Sequence, residues 1–159
     1  CGRSLSSRRW TLPVAGLDFS VLASGMVERI GEPISLLQHR WRNHSGNFDE
    51  LTRSLPISNH REGLQHIGNV ISQTRVLREE SELLGIGHRV VHGGEVFHEP
   101  ALVDDTVIAA IRELIPLAPL HNPENLLGIE AALERYPHVP QVAVYDTAFH
   151  QSIPPQAFH

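Results

Sequence analysis

Lysine is missing: all thirteen basic residues of this 159-residue chain are arginine. A Walker-A phosphate loop and a Schiff base both need a lysine amine, so a protein handling phosphate with these residues does so by another route. Cysteine occurs once, at Cys1. No disulfide can form within the chain, which fits a reducing cytoplasm. Positive charge is in deficit, with 13 basic against 18 acidic residues and a net charge of −5. That leaves no electrostatic case for binding nucleic acid or a membrane surface. No apolar run approaches the length of a transmembrane helix. The first residues are polar and Arg-rich, without the apolar centre of a signal peptide. An initiator Met and a terminating pattern are both lacking, so the chain is expected to be a fragment. What remains is ordinary for a soluble globular protein, 41% hydrophobic and 19% charged, and long enough to bury a core.

The chain is best read around Gly87-His88-Arg89-Val90-Val91-His92-Gly93-Gly94. Val90 and Val91 are β-branched and suit a buried strand. Arg89 sets a permanent cation beside them, which calls for an anion or an acceptor. Gly93-Gly94 ends the strand and admits close approach of a backbone or ligand. His88 and His92 share one face of such a strand. As a metal pair they are two ligands where zinc needs three or four.

Elsewhere, residues 1–16 read as a divergent, flexible start. Residues 17–30 suggest one or two strands broken at Ser24-Gly25, Gly31-Glu32-Pro33 a turn, residues 34–41 another strand, and Asn43 to Asn47 a hairpin tip. Leu64, Ile67, Ile71, Thr74 and Leu77 recur at helical spacing and predict a helix over 61–78. A strand over 86–92 follows, with a short extension at Val96, Phe97 and His98. Asp104-Asp105 opens a helix whose apolar face is Val107, Ile108, Ile111, Leu114 and Ile115, ended by Pro116. Asn122 is read as an N-cap with Pro123 at the first helical position, starting a helix that runs to about Arg135. Residues 141–145 form a short buried strand with Asp146 at its carboxyl end.

Helices alternating with strands from residue 61 onwards argue for an α/β sheet, in which ligands gather at the carboxyl ends of strands. Arg89, His121 and Asp146 could then converge on one anion. Such a set suits phosphoryl transfer, which depends on positioning and charge neutralisation. Arg89 would bind an oxyanion and His121 would donate to transferring oxygens. Asp146 would orient the nucleophile or hold a metal-bound water. The blander readings stay open: Asp146 as a turn cap, His121 as a loop residue satisfied by backbone, and Val91 and Leu120 as plain core. His150 could be a ligand, with packing the competing role. A zinc hydrolase built on His88, His92, His121 and Asp146 is a further alternative.

Three segments, Gly87-His88-Arg89-Val90-Val91-His92-Gly93-Gly94, Ala118-Pro119-Leu120-His121-Asn122-Pro123 and Asp146-Thr147-Ala148-Phe149-His150, resemble the acetate kinase family in sequence, order and spacing, together with the closely related propionate kinases. The resemblance covers residues 21–159. It implies the N-terminal part of an actin, sugar-kinase and Hsp70 type (ribonuclease H-like) α/β fold, a mixed sheet flanked by helices, in a cytoplasmic homodimer. It implies reversible phosphoryl transfer between ATP and acetate (or propionate) with Mg²⁺, giving acetyl phosphate. By motif, Arg89 matches the arginine that binds the carboxylate or acetyl phosphate. Val91 and Leu120 match the apolar pocket for the alkyl end, His121 a histidine on the phosphoryl group, and Asp146 the essential acid. Cys1-Gly2 matches the middle of the family's opening motif, after which residues 3–10 diverge. The resemblance also implies that residues 17–159 are a partial substrate-binding domain, that the nucleotide-binding domain lies beyond it, and that the chain alone is inactive. The competing expectation is a non-catalytic carboxylate- or phosphate-binding fragment.

Overall fold

The computed structural model describes residues 7–14 and 20–147. His150 and the exit from residue 153, like residues 1–6, lie outside the described residues. Two compact units divide the chain, Cys1–Glu82 and Leu83–His159, and the boundary falls inside the stretch expected as one partial domain.

In the first unit four strands, β1 (Ser7–Val14), β2 (Ser20–Glu28), β3 (Ser35–Arg42) and β4 (Phe48–Leu55), pair in chain order as an antiparallel sheet. Residues 7–14, expected as a flexible start, pair with β2 from Ser7 opposite Glu28 to Val14 opposite Ser20. Pro13 sits where that register shifts, a position an edge strand tolerates. β2 runs unbroken through Ser24-Gly25 because both its edges are paired. The turn between β3 and β4 is held by the Asn43 side chain, which accepts from the Ser45 and Asn47 N–H groups. Helix α1 (His60–Gln73) is shorter than the predicted 61–78. It starts at Asn59, whose side chain accepts from the Glu62 N–H at 2.9 Å. It stops at Thr74, whose hydroxyl donates to the Val70 carbonyl at 2.7 Å. Val27, Leu37, Ile57, Ile67 and Val70 form the buried core of this unit. His39 is buried beside them, stacked on Trp41 and bonded through Nε2 to the Thr74 hydroxyl at 3.0 Å. Burial pushes its pKa from the ordinary 6.5 down to about 4, a backbone hydrogen bond at Ser24 opposing.

The second unit carries the expected α/β pattern. Strand β5 (Ile86–Val90) pairs in parallel with β7 (Gln141–Tyr145), and the two-residue β6 (Ala101–Leu102) pairs antiparallel on the other side of β7. The extension expected at Val96 to His98 is replaced by β6, a few residues later. Between them run α2 (Asp105–Glu113) and α3 (Asn122–Arg135). Asp104 caps α2 as its chemistry predicts, accepting from the Val107 N–H at 2.8 Å. Val107 and Ile111 of α2, Leu126 and Ile129 of α3, and Val90, Ala143 and Tyr145 of the sheet close one core. Each fully buried Ile or Val contributes about 1.5–3 kcal/mol of transfer free energy to that contact. Among the described residues no helix is long and apolar enough to cross a membrane.

Candidate active site

Parallel pairing puts the carboxyl ends of β5 and β7 side by side, with Val90 opposite Tyr145. The chain leaving each strand therefore opens at one edge of the sheet, where α/β folds gather ligands. Arg89 and Asp146 meet there. The guanidinium Nε donates to both carboxylate oxygens at 2.9 and 3.0 Å, and Nη2 donates to Oδ2 at 2.7 Å. Arg89 is 78% exposed and Asp146 37%. Hydrogen bonds to Asp146, and then its charge, raise the already high pKa of Arg89. This pairing uses the Nε side of the guanidinium. The end-on fork of Nη1 and Nη2 is a second bidentate face, matched to two oxygens of a carboxylate or phosphoryl group.

Val91, His92, Gly93 and Gly94 follow the end of β5, and their backbone donors are satisfied by side chains. Val91 donates to the Asn125 side chain at 3.2 Å, His92 to Asn122 Oδ1 at 3.2 Å, Gly93 to the Thr147 hydroxyl at 2.9 Å, and Gly94 to His92 Nδ1 at 2.9 Å. Gly93 lies so close to Tyr145 that a Cβ there would come within 2.8 Å of the ring. Gly94 has φ +63°, and a Cβ there would stand 2.6 Å from Leu114 Cδ2. The glycines are thus required by the packing of this loop. Tyr145 is 2% exposed, stacks on Phe97 at 4.3 Å between ring centres, and is pushed by burial up to about 12.

The sequence-predicted site residues are placed unequally. Arg89 and Asp146 are brought into contact. Val91 is half-buried and tied to α3 through Asn125. His121 is the residue before α3, its ring exposed and making no capping hydrogen bond. Leu120 is 70% exposed, so it does not line an enclosed pocket here. Asn122 is not the N-cap that its type and the following Pro123 suggest. It is the first residue of α3, and its side chain is spent on His92. The proposed histidine metal set does not assemble. His88 Nε2 bonds the Gln141 side chain at 2.7 Å, His92 Nδ1 accepts from Gly94, and the described residues hold no group of three metal-ligating side chains. Sequence reasoning missed Asn122, Asn125 and Thr147 as parts of this site. The only signal was their place within or beside the same motifs.

Residues 2–159 match the model of the acetokinase family. The chain is 49% identical to the acetate kinase of Syntrophobacter fumaroxidans over 142 residues, covering 89% of this chain and 34% of that protein. It is 45% identical to the acetate kinase of Maridesulfovibrio salexigens, with 89% and 36% covered. It spans about a third of the length of the curated relatives it matches. Among solved structures, Porphyromonas gingivalis acetate kinase superposes with a TM-score of 0.79 at 34% identity, covering 95% of this chain and 38% of that one. A propionate kinase from Francisella tularensis superposes at 0.75 with 30% identity, covering 86% and 33%. The mixed α/β architecture is therefore the one these kinases use, and the chain belongs to the acetokinase family.

Proposed function

We propose that this chain forms the carboxylate- and phosphoryl-binding part of an acetate kinase, which transfers the terminal phosphoryl group of ATP reversibly to acetate. An acetate oxygen bonds to the γ-phosphorus as the bond to ADP breaks, giving acetyl phosphate. The observation that carries this reading is the side-on Arg89–Asp146 pair at adjacent parallel strand ends. It turns the second fork of the guanidinium outward to a two-oxygen anion. On this reading Val91 and Leu120 meet the methyl group, and His121 donates to the transferring phosphoryl oxygens. Asp146 holds Arg89 in place and acts beside the reacting group. Mg²⁺ would come with the nucleotide, bound chiefly by the substrate phosphates. Asp146, whose two oxygens accept from Arg89, would hold it through a metal-bound water. When bound, the ion would supply charge neutralisation on the phosphates. The cytoplasmic location and homodimer belong to the same reading.

Propionate is the second acceptor to consider, supported by the likeness to the Francisella tularensis propionate kinase. One methylene is worth only about 1–3 kcal/mol of discrimination in an apolar pocket. The curated relatives at 45–49% identity are named acetate kinases and favour acetate. The test is a hydroxamate assay for acetyl phosphate with ATP, Mg²⁺ and acetate. It compares this chain with a chimera in which the chain replaces the matching third of the Syntrophobacter fumaroxidans enzyme. Turnover by the chimera and none by the chain alone is expected. A folded but inactive chimera refutes the kinase reading. Binding of acetyl phosphate without turnover would leave an anion-binding module.

A further inference from the structure

We infer that Asn122 is a positioning residue, which sets the loop after β5 against the start of α3 so that the two halves of the acceptor site stay in register; this rests on the kinase reading above. The candidate residues come from two segments far apart in sequence. Arg89 and Val91 belong to β5 and its exit, and Leu120 and His121 to the approach to α3. Asn122 joins them. Its side chain is fully buried, with Oδ1 accepting from the His92 N–H at 3.2 Å and Nδ2 donating to the His92 carbonyl at 3.1 Å. A second bond from Nδ2 reaches the Leu114 carbonyl at 3.5 Å. The amide thus copies one rung of a β-ladder onto the chain just where β5 has run out.

This use has a local cost. Asn is among the best N-cap residues, yet it stands one place inside the helix, and His121 at the cap makes no side-chain bond to α3. Asn125, one turn on, adds the acceptor for Val91. A residue that forgoes its preferred local role to hold a neighbouring segment marks a place where fold economy has yielded to function. The direction of its hydrogen bonds matters too. A carboxylate of the same shape could accept from the His92 N–H but would repel the His92 carbonyl, whereas a carboxylic acid could do both jobs.

The test uses N122A, N122D and the milder N125A, each in the chimera and in the chain itself. In the chimera, N122A is expected to raise the KM for acetate about tenfold or more while leaving the KM for ATP within twofold, because misplacement of a positioning group acts on the site it builds. N125A is expected to move it less, in the same direction. N122D should behave like N122A at neutral pH and recover acetate affinity as pH falls and the acid form is populated, a profile the unsubstituted protein does not share. In the chain without substrate, hydrogen exchange at the Val91 and His92 amides should speed up in N122A and in N122D at neutral pH. The inference is overturned if N122A lowers the melting temperature but leaves the acetate KM and both amides within twofold. If the unsubstituted chimera is inactive, the kinase reading fails. Exchange in the chain then decides the positioning alone: faster exchange at these amides supports it, and unchanged exchange overturns it.

Discussion

Replacing Tyr145 by Phe is expected to stabilise the second unit. The ring lies at the centre of its core, against Phe97 and Gly93, and its hydroxyl has no hydrogen-bond partner among the described residues. In the unfolded chain water satisfies that hydroxyl, so folding leaves a donor and acceptor stranded at a cost of about 1–3 kcal/mol. Phenylalanine keeps the ring, the stack and the contact with Gly93, and removes only the oxygen. Allowing for the small void left behind, the net gain should be about 1 kcal/mol, or roughly 4–8 °C in Tm for a unit of 60–100 residues. Guanidinium unfolding followed by fluorescence or circular dichroism reads this as a higher midpoint at unchanged slope. A second signature follows from titration. Burial raises the Tyr145 pKa from 10 to about 12. The folded value exceeds the unfolded one, so the contribution of the protonated ring is fully present below pH 10. It is lost as pH climbs through 12, to a limit of about 3 kcal/mol. The variant has no such loss, and its advantage should widen between pH 10 and 12. A variant at least 1 kcal/mol less stable than its parent at neutral pH would show that the hydroxyl has a partner. A constant gap up to pH 12 would show that the ring is not desolvated.

Asp146→Asn should separate function from stability. The pair with Arg89 is solvent-exposed and contributes no more than about 1 kcal/mol, so Tm should barely move. Acetyl phosphate formation by the chimera should nevertheless fall about 10²-fold or more, and an unchanged rate would remove Asp146 from the reaction. Gly94→Ala should destabilise by about 1–3 kcal/mol, since it forces a side chain into the left-handed region and drives a methyl group onto Leu114; denaturant unfolding with no shift in midpoint would contradict that packing. His39 gives the first unit an acid limit. Its folded pKa of about 4 lies below the unfolded 6.5, so its contribution is present above pH 6.5 and lost as pH falls through 4, at most about 3 kcal/mol. His39→Gln should flatten that decline in melts taken from pH 7 to 4, and an equally steep decline in the variant would assign it to other groups.

Where local chemistry and global packing agree, sequence and structure coincide. Helix α2 is the clearest case, because Asp104, the spacing of Val107 and Ile111, and Pro116 each act within a turn or two. Strands β5 and β7 were legible for the same reason, as short apolar runs with glycine or a carboxylate at their ends. Residues 7–14 were not, since an Arg-rich edge strand owes its order to pairing with β2, a partner that lies outside the segment itself. Strand β4 is mostly exposed and polar, and only the Asn43 turn before it hinted at a hairpin. In the site, Arg89 and Asp146 could each be placed at a strand end, but their contact follows from a register spanning more than fifty residues. Asn122 was misread because capping propensity is local, whereas its actual partner lies thirty residues earlier. Leu120 was expected in a pocket wall and is open in this chain.

The loop over Val91, His92, Gly93 and Gly94 looks, by composition, like an anion cradle made of backbone amides. Its donors are already committed to Asn125, Asn122, Thr147 and His92. Among the described residues, a phosphate arriving at this loop would therefore find no ring of uncommitted main-chain N–H groups to replace its hydration shell, and a chain without lysine has no side-chain ammonium to offer instead. On the proposed reading, recognition falls to the Arg89 guanidinium, a planar cation with fixed directions. Such a site should distinguish anions by the spacing and orientation of their oxygens more sharply than by their total charge.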